Sequence, residues 1–234
     1  MMARGPVLLT LHLAGFAWNI FSVFKNLEVT GLTPRHGAHT YGGRWKYLTF
    51  INQVLQTIYF GVSLLTDIVQ LLNPDRKRGF GCYLMLLRDC MFSVLAFPVG
   101  TFVVSCFWSL YAYDRELVYP KILDTIIPQW LNHSMHTTVL PLLLIELVVC
   151  SHEYPSKKKG LLALSVFCFA YMAWLLWIHY ASGIWVYPIL EKLDSVGMAV
   201  FFAVSIVVMA PLYFLGEFLT KRVWAKPQGY KKRK

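Results

Sequence analysis

Two histidines and an asparagine lie close together in the stretch WLNHSMHTT at residues 130–138, at the start of an apolar segment. His133 and His136 are three residues apart and Asn132 precedes His136 by four, so a helix presents all three on one face. Ionisable side chains inside a membrane span are costly, and they mark functional sites by default. The alternative is that both histidines are interfacial side chains bonded to water or lipid headgroups. The spacing leaves both interpretations open.

The composition places these residues in a membrane protein. Of 234 residues, 57% are hydrophobic and only 15% are charged, whereas soluble domains are about 25% charged. Because about 20 apolar residues span a bilayer core, six spans are predicted, at residues 6–24, 47–72, 81–111, 132–150, 160–180 and 197–219. We expect an all-α polytopic membrane protein, with one bundle of six transmembrane helices over residues 1–220 and a basic tail over residues 221–234. Pro98 is expected to kink the third span.

The basic residues indicate the orientation of the chain. With the N-terminus in the cytosol, 14 lysines and arginines fall on the inside and 7 on the outside, and Arg88 lies within a span. The positive-inside rule therefore predicts that both termini are cytosolic. The net charge of +10 resides in loops and tail, which disfavours nucleic acid as a partner. The tail suits anionic membrane lipids, and Lys231 and Lys232 match the dilysine pattern for retrieval to the endoplasmic reticulum.

Acidic residues gather toward the predicted inner ends of the spans. A solvated, partly paired cytosolic rim is expected for Asp67, Asp89, Glu146 and Glu217. Within it, Asp67 is predicted to form an ion pair with Arg88. His12 is expected to be a packed or interfacial residue of the first span. The five cysteines, an odd number in apolar surroundings, are interpreted as small core residues.

A polar stripe follows the second predicted span, where Thr49, Asn52, Gln53 and Gln56 recur with helical spacing. Lipid offers such groups no partners, so the stripe is expected to face the bundle interior or a water-filled cavity. The alternative is that these groups only bond neighbouring helices. Thr49 and His136 both fall about one turn below the outer interface. If their helices are neighbours, His136 can act as general base while Thr49 attacks an acyl carbonyl.

Several longer motifs resemble those of the androgen-induced gene family. They are GGRWKYLT (residues 42–49), LAFP (95–98), YPK (119–121), WLNHxMHT (130–137), WVYP (185–188) and LGE (215–217). The resemblance covers essentially the whole chain. It implies a multipass threonine hydrolase that cleaves fatty acid esters of hydroxy fatty acids. The nucleophile of that family falls on Thr49 and its histidine on His136, each within an intact motif.

The residues around this pair are compatible with such a substrate, which is mostly hydrocarbon and carries one free carboxylate. It is expected to enter from the outer leaflet, with Arg44 or Lys46 holding the carboxylate. Asn52 and Asn132 are the candidate oxyanion donors. The predicted substrate-binding residues are Arg44, Lys46, Asn52, Asn132 and His133. No cofactor and no metal are expected.

Two other functions compete with this hypothesis. His133, His136 and His179 near the outer face are candidate ligands for a zinc ion that activates water. The second is a non-catalytic membrane regulator of coagulation-inhibitor expression or of caveolar organisation, which the family resemblance also allows. The resident membrane is left open between the plasma membrane, including its caveolae, and the endoplasmic reticulum.

Overall fold

The computed structural model describes residues 4–29, 40–73 and 79–225. These residues form helices and no strand, so the prediction of an all-α fold is confirmed. The helices are α1 (Arg4–Glu28), α2 (Leu48–Leu72), α3 (Phe80–Met91), α4 (Phe97–Asp114), α5 (Gln129–His136), α6 (Val139–Val149), α7 (Lys157–Ser182), α8 (Pro188–Lys192) and α9 (Ser195–Val223).

Five helical stretches are long and apolar enough to cross a membrane, which confirms a polytopic membrane protein. They are Gly5–Glu28, Leu48–Leu72, Phe80–Leu117, Lys157–Ser182 and Ser195–Val223. They coincide with the predicted first, second, third, fifth and sixth spans. Which ends of these helices face the cytosol stays a prediction.

The predicted fourth span differs, because it consists of the two short helices α5 and α6. The break falls at Thr137 and Thr138, whose N–H groups both donate to the carbonyl of His133, at 2.9 and 3.0 Å. Its physical cause lies in Pro141. Proline has no N–H, and its ring clashes with the carbonyl four residues earlier, here that of Thr137. The helix is therefore interrupted directly after His136.

The third span is one continuous helical stretch with a wide turn in the middle. Residues Phe92–Ala96 form a π-helical turn between α3 and α4, and the N–H of Phe97 donates to the carbonyl of Phe92. Pro98 follows at the start of α4. A proline and a π turn are each a known cause of distortion in a helix. The kink at Pro98 stays a prediction, and the helix carries a π turn directly before it.

Helix α2 lies at the centre of the fold. It packs along α1 and also contacts α3, α4 and α5. Tyr59 and Phe60 of α2 join Phe92, Phe97 and Leu143 in a cluster of fully buried side chains, and a second cluster joins α4, α7 and α9. The polar stripe of α2 faces this interior, as predicted, since its amide side chains are buried.

Of the four carboxylates expected in a solvated rim, Asp67, Asp89 and Glu146 are buried, whereas Glu217 is partly exposed and pairs with Lys221. The predicted ion pair between Asp67 and Arg88 is wrong, because Asp67 lies 2.6 Å from His12 and Arg88 lies 2.8 Å from Asp89. These carboxylates and Glu146 are buried. In such surroundings each charge needs a nearby partner. His12 and His152 provide the hydrogen-bond partners that were expected to be water.

Parts of the predicted basic regions lie outside the described residues. Helix α9 continues through the predicted boundary at residue 221 and ends at Val223. Residues 226–234, with the dilysine pattern, and the basic loop at residues 76–78 are not among those described.

Candidate active site

The structure brings Thr49 and His136 together. Thr49 Oγ1 lies 3.2 Å from His136 Nε2, although 87 residues separate the two in the chain. Thr49 is the second residue of α2, and His136 is the last residue of α5. The distance is that of a hydrogen bond between a hydroxyl donor and an imidazole acceptor.

The start of α2 is fixed by the turn before it. Gly42 and Gly43 have φ angles of +79° and +54°, which glycine adopts without steric cost. A 3₁₀ turn follows at Gly43–Lys46, and α2 then begins. The N–H of Leu48 is bonded to the hydroxyls of Tyr171 and Tyr187, each at 2.9 Å. These bonds anchor the residue directly before Thr49.

His136 is oriented by Asn132, one helical turn earlier. Its Nδ1 lies 2.8 Å from the Asn132 side-chain oxygen and 3.1 Å from the Asn132 carbonyl oxygen. Because both oxygens accept hydrogen bonds, Nδ1 carries the proton and Nε2 keeps its lone pair toward Thr49. A hydroxyl, a base and a third group that orients the base are the parts of an activated nucleophile.

Aromatic side chains hold the imidazole in place. The ring of Phe107 stacks on His136 with centroids 3.6 Å apart, and Trp108 Nε1 donates to the carbonyl of His136 at 2.8 Å. His133 turns away from the pair. Its Nδ1 is bonded to Thr137 Oγ1 at 3.0 Å, and its ring stacks on Trp108.

Two cavities meet at Thr49. The larger, of about 360 Å³, extends past His136 and Arg44 along residues 119–127. The smaller, of about 130 Å³, lies among α4, α7 and α9 and is lined almost wholly by apolar side chains. Both are lined by Thr49, Phe107, Val118 and Tyr187. Thr49 therefore lies between two largely apolar chambers.

The two predicted carboxylate-binding residues have different surroundings. Arg44 lines the larger cavity, and its guanidinium donates to the carbonyls of Asn26 and Val29. Lys46 is buried beside Thr40 and lines neither of the cavities at Thr49. Burial lowers the pKa of both basic side chains. Of the two, only Arg44 lines the larger cavity.

Asn52, a predicted oxyanion donor, lies one turn deeper in α2 than Thr49. Its side-chain oxygen accepts from Gln56 at 3.0 Å, and its amide nitrogen has no hydrogen-bond partner among the described residues. It lines neither of the two cavities. The other predicted donor, Asn132, uses its oxygen to hold His136.

The three histidines considered as zinc ligands do not form a group. His136 faces Thr49, His133 faces Thr137, and His179 stacks on Trp185 with centroids 3.8 Å apart. In the part of the chain that the structure describes, the metal-ligating side chains that converge lie elsewhere.

Two tyrosines at this site were not identified as functional from the sequence. The hydroxyl of Tyr171 donates to the carbonyl of Lys46 at 3.0 Å and lies 2.8 Å from that of Tyr187. Tyr187 belongs to the WVYP motif, so the sequence did contain a pattern that could have indicated a functional role for it. Tyr171 lies within an apolar span and carries no comparable signal. Its position follows from the packing of α7 against the start of α2.

Comparisons with known proteins extend over most of the chain. The family described as FAR-17a/AIG1-like protein matches residues 7–221. The human androgen-induced gene 1 protein is 47% identical over 211 residues, which are 88% of this chain and 86% of that protein. The human androgen-dependent TFPI-regulating protein is 47% identical over 194 residues, 82% of this chain and 83% of that protein.

A more distant relative from Schizosaccharomyces pombe, named as a membrane protein, is 25% identical over 193 residues, 81% of this chain and 80% of that protein. No solved structure matches the chain.

Proposed function

The chain belongs to the FAR-17a/AIG1-like family, and we propose that it is a membrane-embedded hydrolase of fatty acid esters of hydroxy fatty acids. In this proposal Thr49 is the nucleophile, His136 is the general base and Asn132 is a positioning residue. The observation that carries it is the 3.2 Å contact between Thr49 Oγ1 and His136 Nε2 at the junction of two apolar cavities.

The reaction proceeds in two halves. First, His136 Nε2 takes the hydroxyl proton of Thr49, and Oγ1 bonds to the ester carbonyl carbon. The carbon–oxygen bond to the hydroxy fatty acid then breaks, and the imidazolium protonates the departing alkoxide. In the second half a water molecule, deprotonated by His136, attacks the acyl-threonine. The fatty acid leaves and Thr49 recovers its proton.

The oxyanion formed in each half requires a hydrogen-bond donor, for which we propose Tyr187. Its hydroxyl accepts the N–H of Leu48 at 2.9 Å, next to the nucleophile, and its side chain lines both cavities. The proton of the neighbouring Tyr171 hydroxyl is directed to the carbonyl of Lys46. The 2.8 Å contact between the two hydroxyls is then donated by Tyr187, and in this proposal its proton turns from Tyr171 to the oxyanion. Preorganised donors of this kind contribute strongly to acyl transfer.

The shape of the site supports a substrate with two hydrocarbon arms. An ester at Thr49 has one chamber available on each side, and both chambers are lined mainly by apolar side chains. Burying each methylene contributes about 0.8 kcal/mol, so two long arms supply most of the binding free energy. The free carboxylate belongs in the larger cavity, where Arg44 provides a positive charge.

The proposal is tested with full-length protein purified in detergent. Wild type, Thr49→Val and His136→Gln are treated with a fluorophosphonate probe and assayed for hydrolysis of a fatty acid ester of a hydroxy fatty acid. Both variants are expected to lose labelling and turnover. The matched control is Thr57→Val, two turns further along α2, whose hydroxyl donates to the Gln53 carbonyl at 2.8 Å. It is expected to behave as wild type.

Two outcomes overturn the assignment. Labelling that persists in Thr49→Val places the nucleophile on another residue. Absence of both labelling and turnover in wild type favours the non-catalytic regulatory function instead. In that case Thr49→Val retains whatever regulatory effect the wild-type chain exerts in cells.

A further inference from the structure

A second group of reactive side chains lies at the opposite end of the bundle. It begins at Asp67, which follows Thr49 by 18 residues of α2, a distance of about 27 Å along the helix axis. Eight side chains from α1, α2, α3, α6 and the segment after α6 belong to it: His12, Tyr59, Asp67, Arg88, Asp89, Glu146, Cys150 and His152. All of them are buried. None takes part in the proposed hydrolysis, so the cluster requires its own explanation.

Glu146 is the centre of the cluster and has no exposed surface. One carboxylate oxygen accepts from Tyr59 at 2.6 Å and lies 3.1 Å from His152 Nε2. The other lies 2.9 Å from His12 Nε2. The carboxylate is thereby held in one orientation by groups from three separate parts of the chain.

His152 is oriented from behind by a carboxylate. Its Nδ1 lies 3.0 Å from Asp89 Oδ1, and Asp89 is in turn bonded to Arg88 at 2.8 Å. The imidazole also stacks on Phe92 with centroids 3.9 Å apart. A histidine whose one nitrogen is bonded to a carboxylate, so that the other points at a common centre, is typical of metal ligation.

A thiol completes the arrangement. Sγ of Cys150, a ring nitrogen of His152 and a carboxylate oxygen of Glu146 all lie within 4.8 Å of one another. On tetrahedral zinc, with bonds of about 2.0–2.3 Å, neighbouring ligand atoms are about 3.3–3.8 Å apart. A small contraction brings the three groups to that spacing. Thiolate, imidazole and carboxylate are also the three ligand types that zinc takes from proteins.

We propose that Glu146, Cys150 and His152 form a binding site for a zinc-class divalent cation, separate from the Thr49–His136 site. The fourth position is filled by water or by the hydroxyl of Tyr59, which lies 3.5 Å from His152 Nε2. Binding displaces the proton of the thiol and the one on His152 Nε2, so one dication replaces two protons. The net charge of the buried cluster is therefore unchanged, and no uncompensated charge is created in the interior.

The site is tested with full-length protein carrying no polyhistidine tag, purified in detergent without chelators. Zinc is measured by mass spectrometry, and cobalt(II) is then titrated into chelator-treated protein. We expect about one zinc per chain and a cobalt spectrum with a thiolate charge-transfer band. Cys150→Ser and His152→Gln should each weaken metal binding at least about 10-fold. The band should be lost in Cys150→Ser.

The matched control is Cys90→Ser, because Cys90 is an exposed thiol on α3. This variant should retain zinc and the cobalt band. Thermal melting of each apo variant shows whether it is folded, and zinc should raise the melting temperature of wild type but not of Cys150→Ser. Substoichiometric zinc with no thiolate band in wild type overturns the proposal and leaves a hydrogen-bonded network. Unchanged binding in both ligand variants overturns it as well. Neither result bears on Thr49.

Discussion

Replacing Asn132 by leucine distinguishes two possible roles of this residue, which are to orient His136 and to donate a hydrogen bond to the oxyanion. Leucine keeps the size of the side chain but removes the oxygen that lies 2.8 Å from His136 Nδ1. The Asn132 carbonyl, 3.1 Å from the same nitrogen, is part of the backbone and stays in place. His136 therefore keeps one acceptor at Nδ1, and with it the tautomer that leaves Nε2 available to Thr49.

The expected loss is that of a single hydrogen bond. Such a bond contributes about 0.5–1.5 kcal/mol, so the turnover number should fall about 2- to 13-fold. The sequence alone suggested Asn132 as an oxyanion donor. Removing a donor of that kind costs about 10²- to 10³-fold in turnover. The two ranges are thus separated by at least about eightfold.

The assay is single-turnover hydrolysis of a fluorogenic ester by protein in detergent, which reports the acylation step directly. Ser134→Ala is the control, because Ser134 is buried on the same helix and its hydroxyl donates to the Leu131 carbonyl at 2.8 Å. A loss above 100-fold in Asn132→Leu, with an unchanged melting temperature and a near-normal control, refutes the positioning role. No loss at all refutes it too.

Three further perturbations follow from the same geometry. Tyr187→Phe removes the proposed oxyanion donor and should lower turnover about 10²- to 10³-fold with little change in KM. Arg44→Gln should raise KM for esters with a free carboxylate and leave methyl esters unaffected, because the cavity loses its positive charge. Gly15→Ala places a methyl group 2.6 Å from the ring of Phe60, and overpacking of this kind costs about 1–3 kcal/mol, seen as a lower melting temperature.

Each of these has a result that contradicts it. Normal turnover in Tyr187→Phe assigns the oxyanion to other donors. An equal rise in KM for acid and methyl ester shows that Arg44 supports the α1 end structurally. Gly81→Ala, whose new methyl group meets Val69 at an ordinary 3.4 Å, is the control for Gly15→Ala. Equal melting temperatures for these two variants contradict close packing of α1 on α2.

Composition and periodicity determined the class of this protein. Long apolar segments with few charges predicted a polytopic helical bundle, and five of the predicted spans are single helical stretches. The polar face of α2 was also correctly placed inside. The interruption that ends α5 at His136 was not predicted, because apolarity alone does not show where a helix stops. Pro141 was the feature of the sequence that could have indicated it.

The motifs identified Thr49 and His136 but not the geometry that joins them. Side chains from α2 and α5 meet because the helices pack, and spacing along the chain cannot show which helices are neighbours. The same holds for the hydroxyl of Tyr187, which reaches the start of α2 because the segment before α8 packs there. The bond from Asn132 to His136 is different, since it joins residues four apart on α5 and follows from their helical spacing.

The inner cluster shows the limit of sequence reasoning most clearly. Acidic residues near helix ends normally face water, so a solvated rim was the natural expectation for Asp89 and Glu146. Burial and the two histidines His12 and His152 reverse that outcome, and both are properties of the packed bundle. The sequence by itself determined which segments are apolar enough to cross a membrane and which residues can do chemistry. The tertiary structure decided which of those residues meet, because charge pairing and metal ligation depend on distances between segments far apart in the chain.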